Sequence, residues 1–114
     1  MFTPTISIED LTPGSKKRVT IHDLELMIVN VSGNVYATQK NCTHSDTDLT
    51  EGNLEGCVIE CPQHGAMFDV TDGRVLSLPA TVPLKTYPAK IENGIIMIDI
   101  PEPTVEETPE TSAV

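Results

Sequence analysis

Two short residue pairs in this chain have the composition of metal ligands. Cys42-Thr43-His44 sets a thiol and an imidazole two positions apart, and Cys61-Pro62-Gln63-His64 sets a second such pair three positions apart. Sixteen residues separate His44 from Cys61. One zinc ion can take two thiolates and two imidazoles in tetrahedral geometry. Structural zinc sites, however, usually open on two closely spaced cysteines and close on two closely spaced histidines. Here the order alternates Cys, His, Cys, His, which divides more naturally between two metal atoms. Both thiolates then go to one iron and both imidazoles to the other. Cys42, His44, Cys61 and His64 are the candidate ligands, and a structural zinc module is the rival reading.

The remaining cysteine and histidine fit no ligand slot. Three cysteines are an odd number and cannot all pair in disulfides, so metal or redox chemistry is the better expectation in an intracellular chain. Cys57, in Gly56-Cys57-Val58-Ile59, reads as a buried structural thiol. His22, beside Asp23, reads as a surface or turn residue. Asp46 and Asp48 read as solvated loop carboxylates or as docking residues. Gly65 either lets the backbone approach the metal site closely or serves an ordinary turn.

The elements that must position these residues are short strands. Residues 5–8 and 18–22 alternate, with the turn signal Pro13-Gly14 between them. Residues 25–30 and 34–38 read as a hairpin closed through Val31-Ser32-Gly33. Asn93-Gly94, between residues 90–92 and 95–100, is the strongest hairpin signal in the chain. Residues 67–70 and 74–76 flank a turn at Thr71-Asp72-Gly73. Residues 41–54 are polar and aperiodic, and read as a loop unless something inside them, such as a metal, organises them. Residues 78–88, with three prolines, should run extended. The pattern predicts an all-β fold, an antiparallel sandwich or barrel.

Composition narrows the function. The chain has 114 residues, the size of one domain. Its formal charge of −10 makes nucleic acid and anionic membrane poor partners. No apolar run approaches a membrane span, and no signal peptide is evident, so a soluble cytoplasmic protein is expected. Residues 101–114 carry four glutamates, three prolines and no basic residue, which predicts a flexible acidic tail after a domain over residues 1–100. Residues 41–73 hold seven carboxylates and no Lys or Arg, a field that would steer this end toward basic partner surfaces. Lys16-Lys17-Arg18 is the one basic run and reads as a solvated strand edge.

Cys42-Thr43-His44 and Cys61-Pro62-Gln63-His64-Gly65 resemble the two cluster-binding boxes of the Rieske family. The likeness runs through Met67-Phe68-Asp69 and Asp72-Gly73-Arg74 to Leu78-Pro79-Ala80, within residues 41–80. The resemblance implies the Rieske iron-sulfur fold, an antiparallel β base with a smaller cluster-binding subdomain. It implies one [2Fe–2S] cluster, with Cys42 and Cys61 on the inner iron and His44 and His64 on the outer one. It also implies that Pro79 belongs to a third loop covering the cluster. Thr47 and Gln63 stand where respiratory-complex members place a pair of disulfide-bonded cysteines. Ala66 and Phe68 stand where those members place a Ser and a Tyr that donate hydrogen bonds to the cluster and its Cys ligand. Their absence implies a low-potential centre. With no second iron site evident, the chain is similar to the free-standing ferredoxins of aromatic ring-hydroxylating dioxygenase systems. Such a ferredoxin is an electron carrier and not itself an enzyme. It is expected to be monomeric, taking an electron from a flavoprotein ferredoxin reductase that uses NAD(P)H and passing it to a terminal oxygenase. The alternative is a small Rieske-like subunit of an assimilatory nitrite reductase.

Overall fold

The computed structural model describes residues 2–100 apart from His44, His64 and Pro79. Among the described residues there are eleven strands and no α-helix. The strands are β1 (Phe2–Ser7), β2 (Lys16–Ile21), β3 (Leu24–Val31), β4 (Asn34–Gln39), β5 (Asn53–Glu55), β6 (Val58–Glu60), β7 (Met67–Asp69), β8 (Val75–Ser77), β9 (Thr86–Tyr87), β10 (Ala89–Glu92) and β11 (Ile95–Asp99). They form three sheets, ordered β1-β11-β10, β2-β3-β4-β9 and β5-β6-β7-β8, and every pairing is antiparallel. No helix is long and apolar enough to cross a membrane among these residues.

The central sheet explains the architecture. In β3, Leu26, Met27, Ile28 and Val29 are all fully buried. Side chains alternate across a strand, so a continuous apolar run needs cover on both faces. Leu26 and Ile28 join one core with Val35, Ala37, Ile96 and Ile98, which packs the first sheet on the second. Met27 and Val29 join the other core with Ile59, Phe68, Val70, Cys42 and Cys61, which packs the third sheet on the opposite face. The first two sheets are the antiparallel base, and the third is the smaller subdomain.

Turn chemistry sets the registers. His22-Asp23, Ser32-Gly33 and Asn93-Gly94 close two-residue hairpins, and all six residues have positive φ. That backbone twist matches the strands it connects. His22 is therefore an exposed turn residue. Asn30, buried just before the Ser32-Gly33 turn, donates from Nδ2 to Leu11 O at 2.7 Å and accepts at Oδ1 from Gly33 N. Lys16–Arg18 lie on β2, which is an edge strand of its sheet, as expected.

The hairpin β5–β6 is an addition to the strands read from the sequence. Its strands are three residues each, too short to show a period, and only Gly56 (φ +60) marks its turn. Residues 41–54 are also more ordered than their composition suggests. Asn41 and Asp48 form an isolated bridge. A single 3-10 turn over Leu49–Glu51 follows, anchored by the fully buried Leu49 and capped by the Asp48 carboxylate. The extended stretch after Leu78 gains a short strand, β9, against β4. The acidic tail expected at 101–114 lies outside the described residues.

Candidate metal centre

Cys42 and Cys61 each open a tight backbone turn. In the first, Cys42 N donates to Thr47 O at 2.8 Å and Asp46 N donates back to Cys42 O at 2.9 Å. Asp46 takes a left-handed conformation to close the turn, and Asn41 Nδ2 donates to its carbonyl. The second turn leaves β6 and returns into β7. There Cys61 N donates to Ala66 O at 2.7 Å, and Gly65 N donates to Cys61 O at 3.1 Å. Gly65 has φ +77, and a Cβ built on it would make only an ordinary contact with Glu60. Its positive φ suits the backbone turn it closes.

Both thiols enter one buried core cluster. Cys42 and Cys61 are 2% and 1% exposed, share one core cluster, and are not disulfide-bonded. Leu49, Ala66, Phe68, Ala80 and Leu84 belong to the same cluster. Two buried thiols in one core cluster that are not disulfide-bonded suit a metal that takes both as thiolates. Dry aliphatic surroundings suit a metal group that must exclude water. The donor set thus fits the sulfur half of a [2Fe–2S] site. The imidazole half, His44 and His64, and the third-loop Pro79 lie outside the described residues.

Hydroxyl groups join the loops. Thr47 Oγ1 donates to Gln63 Oε1, so the two positions that resemble a disulfide pair are linked by a hydrogen bond instead. Ser45 Oγ lies 2.9 Å from Thr47 Oγ1 and 3.6 Å from Cys61 Sγ. Thr43 Oγ1 donates to Val82 O at 2.6 Å, fastening the first turn to the segment after Ala80. Ser77 Oγ donates to Gly65 O. Ser45 is a functional candidate that sequence reading missed. Its proximity to Cys61 depends on two loops meeting across sixteen positions, and residue type alone carries no such signal.

The charge around the site is partly neutralised. Asp48 pairs with Arg18 at 2.7 Å and lies 3.9 Å from Lys40, so it is neither a solvated nor a free docking carboxylate. Lys40 also pairs with Glu25 at 3.0 Å. Burial pushes the Asp48 carboxyl up, but bonds from the Thr50 hydroxyl and backbone, then Arg18 and Lys40, outweigh burial and leave it below its ordinary value.

Asp69 is held in a similar way. Burial raises it, while the Thr71 hydroxyl and backbone, Arg74 and the Cys57 thiol together bring it below the ordinary value. Cys57 is half-buried and packs against the core cluster, close to its expected place as a structural thiol. The Asp69 contacts tie β7 to the turn before β8. A carboxyl lowered in the fold contributes stability that is present above its unfolded value, about 3.9. That stability is lost as pH falls through the lower folded value. Asp69→Asn should cost about 1 kcal/mol at neutral pH. Its acid unfolding curve, followed by circular dichroism, should be flatter than the wild type's below about pH 4. Parallel curves would show that Asp69 titrates normally in the fold.

The chain is similar to known proteins along most of its length. The family described as Rieske [2Fe-2S] domain matches residues 2–88. The ferredoxin component of a naphthalene 1,2-dioxygenase system from Pseudomonas putida is 43% identical over 95 residues, covering 83% of this chain and 91% of the relative. A Sphingomonas yanoikuyae B1 ferredoxin superposes with a TM-score of 0.83 at 35% identity, covering 89% of this chain and all of that one. A chain in a complex of reduced oxygenase and oxidized ferredoxin in carbazole 1,9a-dioxygenase superposes with a TM-score of 0.81 at 36% identity, covering 85% of this chain and 91% of that one.

Proposed function

The chain belongs to the Rieske [2Fe-2S] domain family, and from that premise we propose that it is the ferredoxin component of an aromatic ring-hydroxylating dioxygenase system. When bound, the [2Fe–2S] cluster supplies a one-electron couple. Cys42 and Cys61 would hold it through their thiolates, and His44 and His64 through their imidazoles. The domain is residues 1–100, with 101–114 as an acidic tail. The protein is a soluble, monomeric, cytoplasmic carrier that does no chemistry on the aromatic substrate itself. It receives its electron from a flavoprotein reductase and delivers it to the terminal oxygenase.

The placement of Cys42 and Cys61 in one core cluster, buried and not disulfide-bonded, on two turns joined by the Thr47–Gln63 hydrogen bond, carries this reading. The relative's name, ferredoxin component of a naphthalene 1,2-dioxygenase system, supports the choice of system. The complex of oxygenase and ferredoxin supports the choice of electron acceptor. The chain's own residues do three things. The turn backbones fix the two sulfurs. Leu49, Phe68 and Leu84 exclude water from behind them. Ala66 and Phe68, both fully buried, bring no hydroxyl to the site, which favours a low potential.

Reconstitution tests the proposal. Purified reductase and terminal oxygenase of a naphthalene dioxygenase system are mixed with NADH and substrate, and this protein is titrated in. Product formation should be negligible without it and rise to saturation with it. The rate should fall as salt screens docking charges. No stimulation at any concentration would refute the carrier role.

A further inference from the structure

Ser45 stands between the two loops with one proton to give and two neighbours to take it. Its Oγ is 3.6 Å from Cys61 Sγ and 2.9 Å from Thr47 Oγ1, and Thr47 in turn meets Gln63. A sulfur that ligates a metal has lost its proton and can only accept. We propose that Ser45 donates its hydroxyl proton to the Cys61 sulfur in the metal-loaded protein, oriented by Thr47 and Gln63, and that this bond raises the potential of the centre. The proposal rests on Cys61 being a cluster ligand.

Proton counting then sets the direction of the whole chain. A hydroxyl has one proton to donate and lone pairs with which to accept. With the Ser45 proton committed to Cys61, Thr47 must donate to Ser45. Thr47 then accepts from Gln63, whose amide presents Nε2 after a half-turn about its last bond. Donation runs one way, Gln63 to Thr47 to Ser45 to Cys61. All four groups come from the two ligand-bearing turns, so the chain both joins the turns and ends on a ligand. It occupies the positions, 47 and 63, at which respiratory-complex members place a disulfide. Unlike a disulfide, this link does not respond to thiol reductants.

The effect on potential follows from charge. An added electron makes the ligand sulfur more negative, and a hydrogen bond to a more negative acceptor is stronger. The donor therefore favours the reduced protein. Ser45 supplies one hydroxyl from the first turn where the second turn, with Ala66 and Phe68, supplies none. Ser45 is a positioning and tuning residue, since it acts through Cys61.

The test is a redox titration by protein-film voltammetry of the full chain with its cluster, run on wild type, Ser45→Ala, Ser45→Thr and Thr47→Val. Ser45→Ala should keep the Rieske visible and EPR spectra. Its ratio of reduced to oxidised protein at a fixed potential should fall about tenfold, a drop of about 59 mV for one electron. Ser45→Thr, which keeps a hydroxyl, should recover most of that loss. Thr47→Val, which leaves Ser45 intact but removes its holder, should shift the ratio the same way by less. An intact spectrum with unchanged or raised potential in Ser45→Ala would overturn the proposal. Were Ser45→Ala unable to assemble a cluster, an unchanged potential in Thr47→Val would overturn it equally. A wild-type protein with no Rieske spectrum would instead refute the ligand assignment, and the proposal with it.

Discussion

Replacing His64 by Ala leaves a folded protein that no longer assembles its cluster. The visible absorption and the EPR signal of the reduced protein disappear, and iron per chain falls more than about tenfold. Cys61→Ala has the same outcome, since the alanine leaves an apolar methyl where a thiolate is needed. Cys61 opens the turn closed by Cys61 N to Ala66 O and Gly65 N to Cys61 O. That turn is built from backbone bonds and survives either change, so circular dichroism should stay near wild type. His22→Asn is the control. His22 is exposed in the β2–β3 turn at φ 49, a conformation that Asn tolerates, and its replacement should leave iron content unchanged. Full iron loading in His64→Ala would remove His64 from the ligand set.

Gly73→Ala should be strongly destabilising. Gly73 has φ +81, and a Cβ there would fall on the Leu84 carbonyl oxygen, with Leu84 C and Thr86 Cγ2 both at 3.1 Å. Leu84 N donates to Gly73 O at 2.8 Å, so the approach is part of how the chain returns from β8 to the central sheet. Left-handed strain contributes about 1–2 kcal/mol, and forcing the backbones apart roughly as much again, for a total of about 3 kcal/mol. Gly94→Ala isolates the first contribution, because Gly94 has φ +79 but no atom near its missing Cβ. Urea unfolding should show Gly73→Ala losing clearly more stability than Gly94→Ala. Leu84 shares a core cluster with Cys42 and Cys61, so Gly73→Ala should also release iron faster. Equal losses in the two variants would mean that the contact at Leu84 relaxes freely.

What could be read in the residues, and what could not, divides along sequence distance. Ser32-Gly33 and Asn93-Gly94 announce their hairpins because positive φ is a local demand that few residue types meet. The four-residue apolar run in β3 was visible too, although only the fold shows it dividing its side chains between two cores. The β5–β6 hairpin escaped because three-residue strands carry no period. The ligand pairs were legible as Cys-x-His and Cys-x-x-His, since metal chemistry constrains both type and spacing. The groups around them were not. Ser45 meets Cys61, Thr47 meets Gln63 and Arg18 meets Asp48 across sixteen to thirty positions, and only folding brings them together. The charge estimate for this end changes for the same reason. Seven carboxylates in residues 41–73 look unopposed in the sequence, yet Arg18, Lys40 and Arg74 reach in from outside that segment.

The decisive measurement is pulsed EPR on reduced protein whose histidines alone carry nitrogen-15. Two strong nitrogen-15 couplings should appear, one each from His44 and His64, on a spin-coupled iron pair whose remaining protein ligands are sulfur. Absence of those couplings, or a protein that holds zinc and gives no EPR signal on reduction, would contradict the assignment of this chain's two ligand pairs.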